Sequence, residues 1–258
     1  MIDTIIEDDC LEAMPGIPDK SIDMILCDLP YGTIKGNGVS LGWDSIIPFE
    51  PLWHEYRRII RDNGAIVLTS SQPFTTRLIS SCFELYKYSW IWIKSNGVGH
   101  LNAKNAPIKM HEDILVFSKG DTANLCKNPM KYFPQGLTPC KIIKKNRDES
   151  HGSQGNRPSR KGEYIQTYNN YPTSILHFPN DRDKAHPTQK PVALFEYLIK
   201  TYTNEGDAVL DNCAGSGTTG VAAINTNRHY ILIEKEPKYV AIAKARIASI
   251  PARLDRWL

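Results

Sequence analysis

Asp211-Asn212-Cys213-Ala214-Gly215-Ser216-Gly217-Thr218-Thr219-Gly220 follows a strand read over 207–210, and its glycines read as a tight turn that carries the chain from that strand into a helix over 218–225. Such a turn lets a ligand approach the backbone. The next strand, 229–233, ends at Glu234, seventeen residues after Gly217, where a carboxylate can accept hydrogen bonds from both hydroxyls of a ribose. The pattern describes a nucleoside-binding half-site at the edge of an open α/β sheet.

Gly215-x-Gly217-x-x-Gly220 also fits the dinucleotide fingerprint, so a nicotinamide dehydrogenase is the first rival. Only about one strand and one helix remain after the turn's partner strand, and the sheet must be completed by amino-terminal strands, which is unusual for a dehydrogenase. A Walker-type phosphate loop is excluded because no Lys-Ser or Lys-Thr follows the glycines. Asp211 would repel a pyrophosphate but attract an ammonium group. S-adenosylmethionine, with a ribose and an amino-acid amine, suits both Asp211 and Glu234.

A second stretch, Asp28-Leu29-Pro30-Tyr31, follows the apolar run 22–27 and precedes Gly32. A buried strand ending in a carboxylate, a rigid proline and an aromatic ring presents these groups at the carboxyl edge of the sheet, where open α/β sheets bind ligands. A carboxylate beside a free carbonyl gives two acceptors, and the ring gives a flat surface. The implied ligand is planar and bears an NH2. Taken alone, four residues fit an ordinary Pro-Tyr turn equally well; the glycine turn tips the balance.

The 258 residues can bury a full core as one domain, with or without an insert. The sequence has no stretch long enough for a membrane span and no signal-peptide pattern at its start, so a cytoplasmic protein that does not contact membrane is expected. Six widely spaced cysteines without a C-x-x-C read as reduced thiols, with no metal site expected. Charge is unevenly distributed. Thirteen Lys and Arg stand against six Asp and Glu over 119–190, a net +7, whereas the rest of the chain is −4. A polyanionic partner follows from that concentration.

In chain order the pattern predicts strands over 4–7 and 22–27, and a Gly-rich loop over 32–42. A helix bearing Leu52, Tyr56, Ile59 and Ile60 is closed by Asp62-Asn63-Gly64, and strands follow over 65–69, 88–93 and 113–117. From 119 to about 173 no regular period is found. Lys141, Lys144, Lys145, Arg147, Arg157, Arg160 and Lys161 alternate there with Tyr132, Tyr164, Tyr168 and Tyr171. A solvated loop has that composition, and so does a nucleic-acid surface on which cations meet phosphates and rings stack on bases. Regular structure resumes at 174–178, and Pro237 opens a last helix with Val240, Ala243 and Ile247 on its buried stripe.

The two stretches, with His186-Pro187-Thr188-Gln189-Lys190-Pro191 between them, resemble the β-class amino-methylating DNA methyltransferases, in which the catalytic motif precedes the cofactor motif. Trp43-Asp44 and His111-Glu112-Asp113 also resemble positions recurrent in that group. The resemblance covers nearly the whole chain outside the basic segment. It implies a Rossmann-like α/β methyltransferase fold, circularly permuted, with a seven-stranded mostly parallel sheet and one antiparallel strand. One domain would span 1–258, with a catalytic half at 1–118, a cofactor-binding half at 179–258 and a target-recognition insert at about 119–175. Residue by residue it implies Asp28, Pro30 and Tyr31 as catalytic. For S-adenosylmethionine it implies Asp9 near the adenine, Asp211, Cys213, Gly215 and Gly217 in the methionine loop, Glu234 at the ribose, and Thr188 with Lys190 at the methionine end. Leu29 and Cys213 depart from the family's usual Pro and Phe. Double-stranded DNA is the implied substrate; a homodimer and a cognate restriction endonuclease are the implied partners.

An exocyclic base amine is a poor nucleophile because its lone pair is delocalised into the ring. Acceptors at Asp28 and the Pro30 carbonyl would turn that lone pair toward a sulfonium methyl, so positioning and electrostatics supply the rate, on a base flipped from its duplex. The leading Asp favours adenine N6 over cytosine N4 by association with the family. Cytosine N4 remains the alternative, followed by a non-catalytic nucleic-acid-binding protein of the same fold. Pro139-Cys140 superficially offers the nucleophile of a C5-cytosine enzyme, but it lies in the basic stretch away from any strand end.

Overall fold

A computed structural model describes residues 2–32, 35–36, 39–40, 44–145, 163–181 and 189–251. The first part of the chain forms β1 (Thr4–Glu7), α1 (Cys10–Ala13), β2 (Ile22–Asp28), β3 (Lys35–Gly36), β4 (Val39–Ser40), α2 (Phe49–Ile59), β5 (Ile60–Ser70) and α3 (Phe74–Ser81). Next come β6 (Tyr86–Val98), β7 (Lys109–Phe117), β8 (Thr138–Lys145), β9 (Glu163–Asn169) and β10 (Ile175–His177). The last part forms α4 (Val192–Tyr202), β11 (Ala208–Asp211), α5 (Thr218–Asn225), β12 (His229–Glu234) and α6 (Pro237–Ala248).

Eight strands make one sheet in the order β1-β12-β11-β2-β5-β7-β6-β10. All neighbours are parallel except the two pairs formed by β7. The class is the one implied by the resemblance, mostly parallel with one antiparallel strand. The count differs by one, because the three-residue β10 adds an edge strand beside β6. The permutation shows in the pairing of β11 with β2, Val209 against Met24 and Leu210 against Ile25.

β2 is covered on both faces, which is why it reads as an unbroken apolar run. Ile25 and Cys27 enter the core beneath α1, α2 and α3, while Met24 and Leu26 enter the core beneath α4 and α5. On α2, Leu52, Tyr56 and Ile59 are wholly buried at helical spacing. Gly217, in the left-handed region at φ 78°, lies where a Cβ would come within 2.8 Å of the Ala243 Cβ, so its lack of a side chain lets α5 and α6 pack closely.

Two expectations are corrected. Asp62-Asn63-Gly64 does not close the helix. The helix ends at Ile59, and β5 begins at Ile60 and runs through the triplet. The pairing shifts there, from Ile22 with Ile60 to Met24 with Ala65, and Gly64 lies so near the Asp23 carbonyl that a Cβ would sit 2.7 Å from it. Nor is 119–173 irregular throughout. Residues 134–173 form a second compact unit containing the antiparallel pair β8 and β9. Ile142, Ile143, Tyr164 and Ile165 are all exposed on that pair, so the two-residue alternation of a half-buried strand never arose. Residues 119–133 belong to the first unit.

Candidate active site

One cavity of about 540 Å³ lies at the sheet edge where β2, β11 and β12 end. Asp9, Asp28, Pro30, Tyr31, Lys190, Asp211, Cys213, Gly215 and Glu234, drawn from both ends of the sequence, all line it. Gly217 stands behind the wall against Ala243. Thr188 lies outside the described residues, as do Arg147, Arg157, Arg160 and Lys161. Lys141 and Lys144 are exposed on β8, whose last residue is Lys145.

At the end of β2 the Asp28 carboxylate is held by three donors. Its Oδ1 accepts from the Tyr31 hydroxyl at 2.8 Å and from the Thr69 hydroxyl, and its Oδ2 accepts from Lys190 Nζ at 2.6 Å. Thr69 is the cross-strand neighbour of Asp28 on β5, and this register explains the contact. Burial and the carboxylates of Asp28 and Glu112 push the Tyr31 hydroxyl well above its ordinary value, so it remains a proton donor. The Tyr31 ring stacks on Phe74, centroids 5.2 Å apart. A carboxylate offers about four lone-pair sites, so three donors leave room for one more. Among the described residues no hydrogen bond reaches the Pro30 carbonyl.

The cavity also holds the glycine turn. Asp211, 3% exposed, accepts from the Cys213 N–H at 3.0 Å and from the Thr219 hydroxyl. Burial outweighs those bonds and pushes its carboxyl up to about 6. A buried carboxyl poised in this way is completed by a cationic ligand group. Glu234 accepts from Gly215 N–H at 2.8 Å and from Glu236 N–H at 2.9 Å, one bond on each oxygen. Each oxygen therefore keeps a lone pair for a hydroxyl. At Gly215 an added Cβ would meet nothing within 4 Å, so this turn leaves ligand space against the backbone. The buried Tyr56 hydroxyl donates to Asn212 Oδ1 at 2.6 Å and ties the turn to α2. This pair of acceptors fits S-adenosylmethionine, with Asp211 suited to the amine and Glu234 to the diol.

Cys213, where the resemblance implies a Phe, places a thiol close to two others. Cys10, hydrogen-bonded to Cys213 and buried, has its thiol pushed far up, and burial drives Cys27 up to about 12. These thiols stay protonated and serve as packing. Cys140 is on β8, its sulfur 3.4 Å from the Gln166 carbonyl.

Several residues escaped the motif reading. Thr69 donates to Asp28, Glu112 pairs with Lys190 and Lys94, and Gln189 accepts from Ser216 of the glycine turn at 3.2 Å. Only Glu112 and Gln189 carried a signal, as members of recurrent triplets and sextets. Among the described residues no helix is long and apolar enough to cross a membrane.

The family model described as DNA methylase, covering N6 and N4 enzymes, matches residues 22–245. The chain is 30% identical to the type II methyltransferase M.HpaI of Haemophilus parainfluenzae, over 93% of this chain and 72% of that protein. It is also 30% identical to the DNA adenine methyltransferase YhdJ of Escherichia coli K12, over 95% and 82%. Among solved structures, the M1.HpyAVI complex with S-adenosylmethionine superposes with TM-score 0.59 at 25% identity, covering 94% of this chain and 98% of that one. The cytosine-N4-specific PvuII methyltransferase shares the fold at TM-score 0.67 and 18% identity, over 98% and 89%. The chain belongs to the N6/N4 DNA methylase family, whose methyl donor is S-adenosylmethionine.

Proposed function

We propose that this DNA methyltransferase acts on the N6 amine of adenine, by direct transfer to a base flipped out of the duplex. The observation that carries the reading is Asp28, held by Thr69, Tyr31 and Lys190 in the same cavity as Asp211 and Glu234. The 30% identity to a protein named as a DNA adenine methyltransferase supports adenine.

S-adenosylmethionine supplies an electrophilic methyl group on a sulfonium. Asp211 would hold the amine of that cofactor, Glu234 would accept from its ribose hydroxyls, and Asp9 would border its adenine. Asp28 accepts one N–H of the target amine through its remaining lone pair, and the Pro30 carbonyl accepts the other. With both N–H bonds fixed, the nitrogen lone pair would turn out of the base plane and be free to attack. Tyr31, braced by Phe74, gives the base a flat neighbour. The chain does not supply a nucleophile of its own. Orientation and fixed dipoles supply the acceleration, and the surplus proton leaves the methylated amine after transfer.

The test is transfer of labelled methyl from S-adenosylmethionine to mixed-sequence duplex DNA, followed by digestion to nucleosides. Label in N6-methyladenine is expected. Label in N4-methylcytosine would keep the mechanism and replace the base.

A further inference from the structure

Lys190 enters the cavity from the segment just before α4, and its side chain is 7% exposed. Its ammonium lies 2.6 Å from Asp28 Oδ2 and 3.3 Å from Glu112 Oε2. Glu112 on β7 is buried in turn, and its other oxygen pairs with Lys94 on β6, one strand across. Lys94, Glu112, Lys190 and Asp28 thus alternate cation and anion along one wall of the cavity, and all four line it. Burial works against the charge of Lys190, yet Asp28 and Glu112 outweigh it and hold its pKa above the ordinary lysine value.

Burying two ion pairs in a row is costly unless each charge is matched. A lysine needed only for packing is more cheaply replaced by an apolar side chain. A lysine that binds cofactor would put its ammonium near a ligand bearing a sulfonium and an amine, both cations. The acidic residues that suit those cations, Asp211 and Glu234, make none of the contacts of Lys190. Glu112 Oε2 has no aligned hydrogen bond among the described residues, so its tie to Lys190 is ionic and fixes where the ammonium sits more than how it points. Its aligned hydrogen bond goes to Asp28 Oδ2.

We propose that Lys190, anchored by Glu112, is a positioning residue for Asp28 and not a ligand of S-adenosylmethionine. The proposal rests on Asp28 being the acceptor for the target amine. Lys190 fixes the carboxylate so that its last lone pair points into the cavity, and Lys94 and Glu112 fix Lys190.

The test compares wild type with Lys190→Met, Lys190→Arg, Glu112→Gln and the Lys190→Met/Glu112→Gln double variant. Affinity for S-adenosylmethionine is measured by calorimetry without DNA, and kcat by methyl transfer to duplex DNA. Lys190→Met is expected to lose about 100-fold in kcat while the cofactor Kd stays within about threefold, because the group acts on the reacting amine's acceptor. Lys190→Arg recovers about tenfold of that loss. The isosteric Glu112→Gln, which leaves packing unchanged, loses about tenfold in kcat, and the double variant loses no more than Lys190→Met alone, as expected for residues acting as one unit. A cofactor Kd weakened tenfold or more in Lys190→Met or Glu112→Gln would overturn the proposal, as would kcat near wild type in Lys190→Met. Wild type that methylates no base in DNA would instead sink the functional reading, and the calorimetry alone would still decide whether Lys190 binds the cofactor.

Discussion

Asp44 clamps Tyr31: its buried Oδ1 accepts the backbone N–H of Tyr31 at 3.0 Å and that of Gly32 at 3.1 Å. The turn after β2 is therefore held by a side chain thirteen residues farther on. Replacing Asp44 with Ala leaves two N–H groups without this acceptor, at about 1–3 kcal/mol. A fall in stability of that order by denaturant unfolding is expected, with kcat reduced about 100-fold because Tyr31 and Pro30 lose their fixed geometry. Unchanged turnover would show that the turn holds itself.

Asp28→Ala tests the centre of the mechanism. The carboxylate is at the end of a strand whose burial comes from Ile25, Leu26 and Cys27, so the fold and cofactor affinity should survive, with stability reduced because Lys190 keeps only Glu112 as a counter-charge among the described residues. Transfer is expected to fall at least about 1000-fold, an oriented acceptor being worth that order. Near-normal turnover would remove Asp28 from the reaction.

Asp211 gives the enzyme a pH signature. With its carboxyl pushed up to about 6 by burial, the folded chain without ligand keeps a proton that the unfolded chain, near pKa about 3.9, has lost. Stability of the ligand-free protein should therefore fall as pH rises through that window. A cationic amine beside Asp211 favours the carboxylate, so affinity for S-adenosylmethionine should rise as pH climbs through about 6, with a proton released on binding below it. Calorimetry in two buffers of different ionisation enthalpy reads that proton directly. Flat affinity and no released proton would mean the ligand amine lies elsewhere.

Lys141 and Lys144, exposed on β8, are expected to bind phosphates. Changing both to Ala should weaken DNA binding evenly across sequences and lower the slope of log affinity against log salt by about 0.9 for each phosphate no longer neutralised. An unchanged slope would move the phosphate surface off this strand.

The middle of the central sheet was legible because β2, β5, β11 and β12 are buried on both faces and bounded by punctuation. The helix 218–225 and the start of α6 at Pro237 fall where the residues put them. The hairpin of β8 and β9 was hidden because neither strand has a buried face. Asp62-Asn63-Gly64 misled because the residues that stop a helix also form an irregular strand pairing. At the site, motif residues were visible one by one, but their mutual contacts were not. Thr69 meets Asp28 only through strand register, and Lys94 meets Glu112 only across β6 and β7.

β2 obtains its neighbour on one side, β11, from a stretch made some 180 residues later. A nascent chain that has emerged only through α4 carries Asp28 and Tyr31 but has neither β11 nor the glycine turn. Methylating capacity is thus withheld until β11 and the glycine turn have been made and slot in beside the early strand.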